Sequence, residues 1–427
     1  MNFLQKTLGT LTGTSIPYTF GDKLMPSIAS DPNRSTSIWT VYEGTSDKDS
    51  SEVTIFEFDL KQPYNSKYVQ FAKNALKRLR SLSLLPGVLT VVDTIENDAH
   101  LYIITERVRP LEDMLDLDFP EESIPSDILL LGIYQIANAL KFVNVEGSSV
   151  HGNVCKSSIF VNQSGEWKLG GFELLANLKE RDFSTISMAN QLPSFQDSLV
   201  PPEFKNNGAS FLTSAKGNQA SKFDSFKLGV LLYELFTSGS KVREIGDMTN
   251  LHSVPRSLTS HLKKLINQSV TVRYSIEQFI KVGETSFFDI GLISIHKQFS
   301  ELALKTNEEK IEIFQSLEEI PVLPKGCFYY KILPQLVIIF SQIKTNENNL
   351  QSMILFLILK NGISLQPEQF SSRVKPVVFK AFTLPDRAIR ITLLNALPDM
   401  IENITNYEVQ DKIFPNLIQG FNDTNDN

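Results

Sequence analysis

The amino-acid sequence predicts an α+β chain: a bilobal domain with strands first and helices second, then an all-α region of stacked repeats. Three observations support this. Short runs rich in β-branched and aromatic residues are confined to residues 18–105. Long apolar stretches with helical spacing begin near residue 126. From residue 285 a proline-marked pattern recurs, with no strand pattern.

Residues 18–21, 37–42 and 52–58 read as the first three strands, separated by clusters of Pro, Gly, Asp and Ser. In residues 67–84, Val69, Ala72, Leu76, Leu79 and Leu82 form one helical stripe. Residues 89–93 and 100–105 return to strand pattern. Residues 127–144 and 223–237 read as buried helices. Five strands around one helix, then a mostly helical lobe, is the order of elements in a protein kinase. The expected boundaries are 1–110 for the first lobe, 111–284 for the second and 285–427 for the repeats. In that last region Pro334, Pro376 and Pro415 have matching apolar neighbours and lie 42 and 39 residues apart. That period is in the range of HEAT-type helix pairs, which stack because one pair cannot bury its apolar face alone. The Pro helices are expected on one layer and their partners on the other. The last helix is expected to expose Ile413 and Leu417, because an end repeat without a polar cap leaves its apolar face open.

A chain of 427 residues is expected to hold two or three domains. Its net charge of -7 disfavours a general affinity for nucleic acid and leaves only local basic patches. Cys155 and Cys327 give no disulfide framework, which fits a reducing compartment, and five scattered histidines give no metal spacing. The polar N-terminus lacks a signal-peptide apolar block, and the apolar runs 129–140 and 353–359 fall short of the roughly 20 residues of a membrane helix. No transmembrane segment and a cytoplasmic location are expected.

Phosphoryl transfer by a kinase needs a glycine loop, a strand lysine paired with a helix glutamate, a catalytic aspartate, and metal-holding Asn and Asp. Each can be checked. No glycine lies between Gly21 and Gly44, where the loop belongs. The strand motif reads Val53-Thr54-Ile55-Phe56, so a phenyl ring replaces the ammonium. No acid occurs from residue 62 to 92, which removes the glutamate partner. The catalytic loop begins at His151 with Asn153 for the aspartate, Cys155 for the lysine and Ser158 for the metal-holding asparagine. The metal-binding D-F-G motif reads Gly171-Phe172-Glu173, and Glu173 is displaced by two residues from the carboxylate it would replace. Neither ATP nor magnesium, nor any other cofactor, is expected to bind, and Phe56 is expected to fill the phosphate space.

The frame is kept. The hinge 101–108 is well formed, and His151 and Phe172 hold stacking positions. Pro202-Glu203 closes the activation segment, Asp224 opens the central helix, and Arg273 stands where it can pair with Glu203. Random divergence damages both classes of residue; selective loss of the charged set argues for a fold kept for binding. Glu203 and Arg273 are expected to form a buried pair, and Asp224 to accept from the backbone near His151.

A kinase-like domain followed by proline-marked repeats resembles the SCY-like (N-terminal kinase-like) pseudokinase family over nearly the whole chain, closest to its fungal tRNA-export members. The segment Asp386-Arg-Ala-Ile-Arg-Ile-Thr-Leu-Leu394 is similar to the family's repeats. The resemblance implies a non-enzymatic scaffold in tRNA transport, with tRNA, nuclear-pore and transport proteins as partners, or a vesicle-coat scaffold at the Golgi. Residues 421–427 read as a loop after an unfinished repeat, so a truncated repeat region is expected. Two segments are locally basic: 61–84, with Lys61, Lys67, Lys73, Lys77, Arg78 and Arg80, and 369–398, with Arg373, Lys375, Lys380, Arg387 and Arg390 against Asp386. RNA backbones need such clusters, and solvated helix faces produce them too. The second cluster is the expected RNA surface.

Overall fold

The computed structural model describes residues 16–31, 35–119, 124–237, 242–249, 251–320, 322–343 and 350–420. The readings of the N-terminus to Gly13 and of residues 421–427 lie outside them. The chain divides into two compact units, 1–293 and 294–427, so the boundary falls after residue 293 where the sequence suggests 284.

The first unit opens with an antiparallel sheet of β1 (Tyr18–Met25), β2 (Thr40–Ser46), β3 (Glu52–Asp59), β4 (Val91–Glu96) and β5 (His100–Glu106), in the order β1-β2-β3-β5-β4. Central β3 is covered on both faces, so its apolar run is nearly continuous. Val53 and Ile55 pack on Tyr102 and Ile104. Alternation sends Thr54, Phe56 and Phe58 to the opposite face, where helix α1 (Val69–Leu82) buries Phe71, Ala72, Ala75 and Leu79. A 3-10 turn at Pro63–Tyr68 delays the start of α1.

The second lobe is built on α2 (Ser126–Val145) and α3 (Lys222–Phe236). The 20 residues of α2 make it longer than its apolar run suggests, and by length and composition it could cross a membrane. Its apolar surface is instead used inside the lobe, with twelve residues buried. Short strands pass unnoticed in the sequence, among them β6 (Val108–Pro110), β7 (Ile159–Asn162) and β8 (Trp167–Leu169), paired in the order β6-β7-β8. Strands of three or four residues are too short to show a period of two.

The second unit is all helical among its described residues. Three helices carry proline at their second position: α4 (Leu333–Gln342), α6 (Lys375–Phe382) and α8 (Phe414–Gly420). Between them lie α5 (Leu350–Gly362) and α7 (Arg387–Met400), which pack on each other and on α4 and α6. A π-helical turn precedes each proline helix, at Cys327–Ile332, Phe370–Val374 and Val409–Ile413. Proline has no N–H and its ring crowds the carbonyl four residues back, so the turn before it widens. Two residues before each proline, Ile332, Val374 and Ile413 are all buried. Ile413 and Leu417 therefore turn inward with their counterparts, against expectation; the last helix exposes Phe414 (57%) and Ile418 (48%) instead.

Candidate functional site

Where a kinase holds nucleotide, this chain holds its own side chains. Phe56 is buried and its ring stands edge-on to Phe160, with centroids 5.1 Å apart. Ala75 of α1 lines the same cavity, so the strand–helix ion pair is replaced by a phenyl and a methyl group. The space left among Phe56, Ala75, Phe172 and Glu173 is about 30 Å³, room for one or two waters. Beside it, the buried Thr54 hydroxyl both donates to the Val108 carbonyl and accepts from the Val108 N–H, each at 2.9 Å. The two hinge backbone groups are thus satisfied internally.

The positions that match a kinase's catalytic residues form a hydrogen-bonded network around a single buried carboxylate. Glu173 accepts from the Trp39 indole N–H at 2.9 Å and from the Asn153 amide at 3.3 Å. The Asn153 carbonyl in turn accepts from Ser194 at 3.1 Å. The Ser158 hydroxyl bonds to Cys155, accepting from its N–H at 3.1 Å and donating to its carbonyl at 2.7 Å. Burial pushes the Cys155 thiol pKa up, away from nucleophilic use. Gly171 has φ +72°, and a Cβ there would lie 2.4 Å from the Cβ of Ser158, so only glycine fits. Sequence reasoning missed Trp39 and Thr54; no local motif marks either.

Burial raises the Glu173 pKa, opposed by hydrogen bonds from its own backbone, Trp39 and Asn153. A raised carboxyl pKa means the native state resists ionisation, so stability falls as pH rises above the unfolded value of about 4.3. Glu173→Gln keeps an acceptor for Trp39 and removes that titration. The stability of the wild type relative to this variant is expected to decline from about pH 4 upward, measured by urea unfolding; parallel profiles would refute it.

The retained frame is assembled. His151 is fully buried, 5.0 Å from the Phe172 ring, with Nε2 2.8 Å from the Gly170 carbonyl. Its Nδ1 accepts from the Asn153 N–H at 3.2 Å, so Nε2 carries the proton. Burial lowers its pKa to about 4, opposed by the Gly170 bond. Asp224 accepts from the N–H groups of His151 and Gly152 and from Asn144, at 2.7–2.9 Å. The guanidinium of Arg273 is buried and grips Glu203 through both terminal nitrogens, one at 3.1 Å. On α1, Asn74 donates to the carbonyls of Glu173 and Leu175 at 3.0 and 3.1 Å, tying the helix to the segment after Gly171.

The basic clusters are less open than their sequences suggest. In the first, Lys73 meets Glu96, and Lys77 and Arg78 meet Glu180, at 2.7–3.5 Å. These acids lie outside the segment, so local composition does not show them. In the second, Lys375 is bound to Glu408 at 3.2 Å, and Arg373 stacks on Tyr329 at 4.5 Å while donating to its carbonyl. Both contacts join neighbouring parts of the helical unit and engage these cations locally. Arg390 is half-buried; Lys380 and Arg387 are exposed. Asp386 caps α7 by accepting from the Ile389 N–H at 3.0 Å.

A model of the protein tyrosine and serine/threonine kinase family matches residues 36–273. The probable inactive serine/threonine-protein kinase scy1 of Dictyostelium discoideum is 32% identical over 391 residues, which are 91% of this chain and 45% of that protein. The cytoplasmic export protein 1 of Saccharomyces cerevisiae is 24% identical over 453 residues, covering 99% of this chain and 52% of that protein. The SCY1-like protein 2 of Homo sapiens is 24% identical, covering 89% and 48%. The chain spans about half the length of these relatives. A kept kinase frame around a filled cleft accords with these likenesses, and the chain belongs to the protein kinase family, among its Scy1-like members.

Proposed function

We propose that this chain is a non-catalytic adaptor in the export of tRNA from nucleus to cytoplasm, with a HEAT-type repeat region that binds tRNA and transport proteins. The observation that carries the non-catalytic part is the cleft closed by Phe56, Thr54 and the Trp39–Glu173–Asn153 chain, with about 30 Å³ left. ATP with magnesium is expected to leave the melting temperature unchanged, since a ligand that binds the native state must raise it. A clear rise would overturn the reading. Phe56→Lys alone is expected to restore nothing, because Ala75 offers no carboxylate and kinase parts act as a unit.

The tRNA part rests on the family resemblance, on the likeness to a protein named for cytoplasmic export, and on two exposed cations, Lys380 and Arg387. A folded RNA offers phosphates and 2′-hydroxyls more than readable bases. Binding is expected to fall steeply with salt and to ignore anticodon sequence. Lys380→Glu with Arg387→Glu is expected to weaken a tRNA gel shift at least tenfold, roughly what two lost phosphate contacts imply. Lys73→Glu with Lys77→Glu is expected to change it little, because those cations already face acids. If the full-length protein binds no tRNA at low salt, a coat-associated trafficking scaffold replaces this reading.

A further inference from the structure

One concavity of the helical unit belongs to neither the cleft nor the cation pair. It is a groove of about 440 Å³ between α5 and α7. Its apolar lining includes Phe356, Leu359, Ile363 and Ala396, with Phe356 45% exposed. Its walls carry opposite charges: Lys360 near the end of α5 and Asp399 near the end of α7, both exposed. Among the described residues neither has an ion pair; Lys360 lies only over the Phe356 ring, 5.8 Å from its centroid.

We propose that this groove docks an amphipathic helix of a partner protein, with an acid on one flank of its apolar stripe and a base on the other. The proposal rests on the adaptor reading and names the kind of partner. The chemistry selects a helix. Both walls are helices whose backbone groups are satisfied internally, so an extended segment finds no sheet edge to join. A helix brings its own backbone bonds satisfied and presents side chains at i, i+3, i+4 and i+7 to such a groove. Walls of opposite charge fix its direction, since only one orientation sets acid against Lys360 and base against Asp399. An anionic membrane surface meets no net positive charge here, which disfavours a lipid occupant.

The probe is a displayed library of helical peptides with leucine at i, i+4 and i+7 and other positions free, selected on the full chain. Peptides are expected to emerge with Kd of about 100 µM or tighter, and to lose at least tenfold against Ala396→Trp, which fills the groove. Lys360→Glu and Asp399→Lys should each weaken them about three- to fivefold, the scale of a rim ion pair. These two surface variants test the site even if the tryptophan variant fails to fold. No peptide that distinguishes wild type from all three variants, or a self-association of the chain abolished by Ala396→Trp, overturns the proposal; the latter makes a second copy the occupant. The same variants run in the tRNA gel shift separate the two ideas. Peptide binding lost in the variants with tRNA binding kept supports the groove as a separate site, peptide binding unchanged in all three removes the groove alone, and a wild type that binds the peptides but no tRNA removes the tRNA reading alone.

Discussion

Arg273→Ala is expected to lower the stability of the kinase-like unit by about 3–5 kcal/mol, the usual cost of removing one partner from a buried pair. The side chain is fully buried and satisfies more than Glu203. It donates to the carbonyls of Asn267 at 2.8 Å and Lys222 at 3.2 Å, and its guanidinium covers the Phe226 ring at 5.0 Å. Alanine leaves those carbonyls without donors, a further desolvation cost. Glu203 keeps some access to water, which moderates the loss. Arg273→Lys should fall between the two, since an ammonium keeps the charge and loses the planar fork. The urea midpoint checks this, and a midpoint unchanged in the alanine variant would refute the assignment.

Asp224→Ala is expected to cost about 3 kcal/mol or more, because it strands three donors, each worth about 1–3 kcal/mol when orphaned in the interior. It should also change the shape of the pH profile. Burial raises the Asp224 carboxyl to about 6, against opposing hydrogen bonds from Gly152, His151 and Asn144. Between the unfolded value near 4 and that of about 6, the native state holds a proton that the unfolded state has lost. Stability from this group therefore falls as pH rises. His151 acts oppositely. Its folded pKa of about 4 lies below the usual value, so stability rises with pH from about 4 to 6.5. In the wild type Asp224 and Glu173 oppose His151 over this range. Asp224→Ala removes the Asp224 slope, so the stability of the variant is expected to rise relative to wild type between pH 4 and 6, by up to about 1.4 kcal/mol per pH unit. A difference between the two proteins that does not change with pH would show that Asp224 does not titrate as described.

The kinase frame was legible because it depends on local periodicity and short motifs. The strands around residues 52–58 and 100–105 and the long helices fall within a few residues of their expected bounds. The proline spacing was legible because each proline fixes one turn of its own helix. What escaped depends on contacts between distant residues. Trp39 meets Glu173 across 134 positions, and Thr54 meets Val108 across 54. The same distance hides Glu180 from Lys77 and Arg78, and Glu408 from Lys375, so a run of cations reads as uniformly open when several of its members already face acids. Ile413 and Leu417 were misplaced because the positions that match the core of earlier repeats stay inward in the last one.

The approach of Gly171 to Ser158 limits what can stand at position 171. A methyl group there would come within 2.4 Å of the serine Cβ, so the loop from His151 and the segment from Gly171 stand too close for two side chains. An aspartate regained at 171 meets that collision before it meets any metal, and an asparagine regained at 158 still carries the Cβ that causes it. Gly171→Asp is therefore expected to be harmful by itself and beside Ser158→Asn alike, and it becomes tolerable only where the two loops have parted.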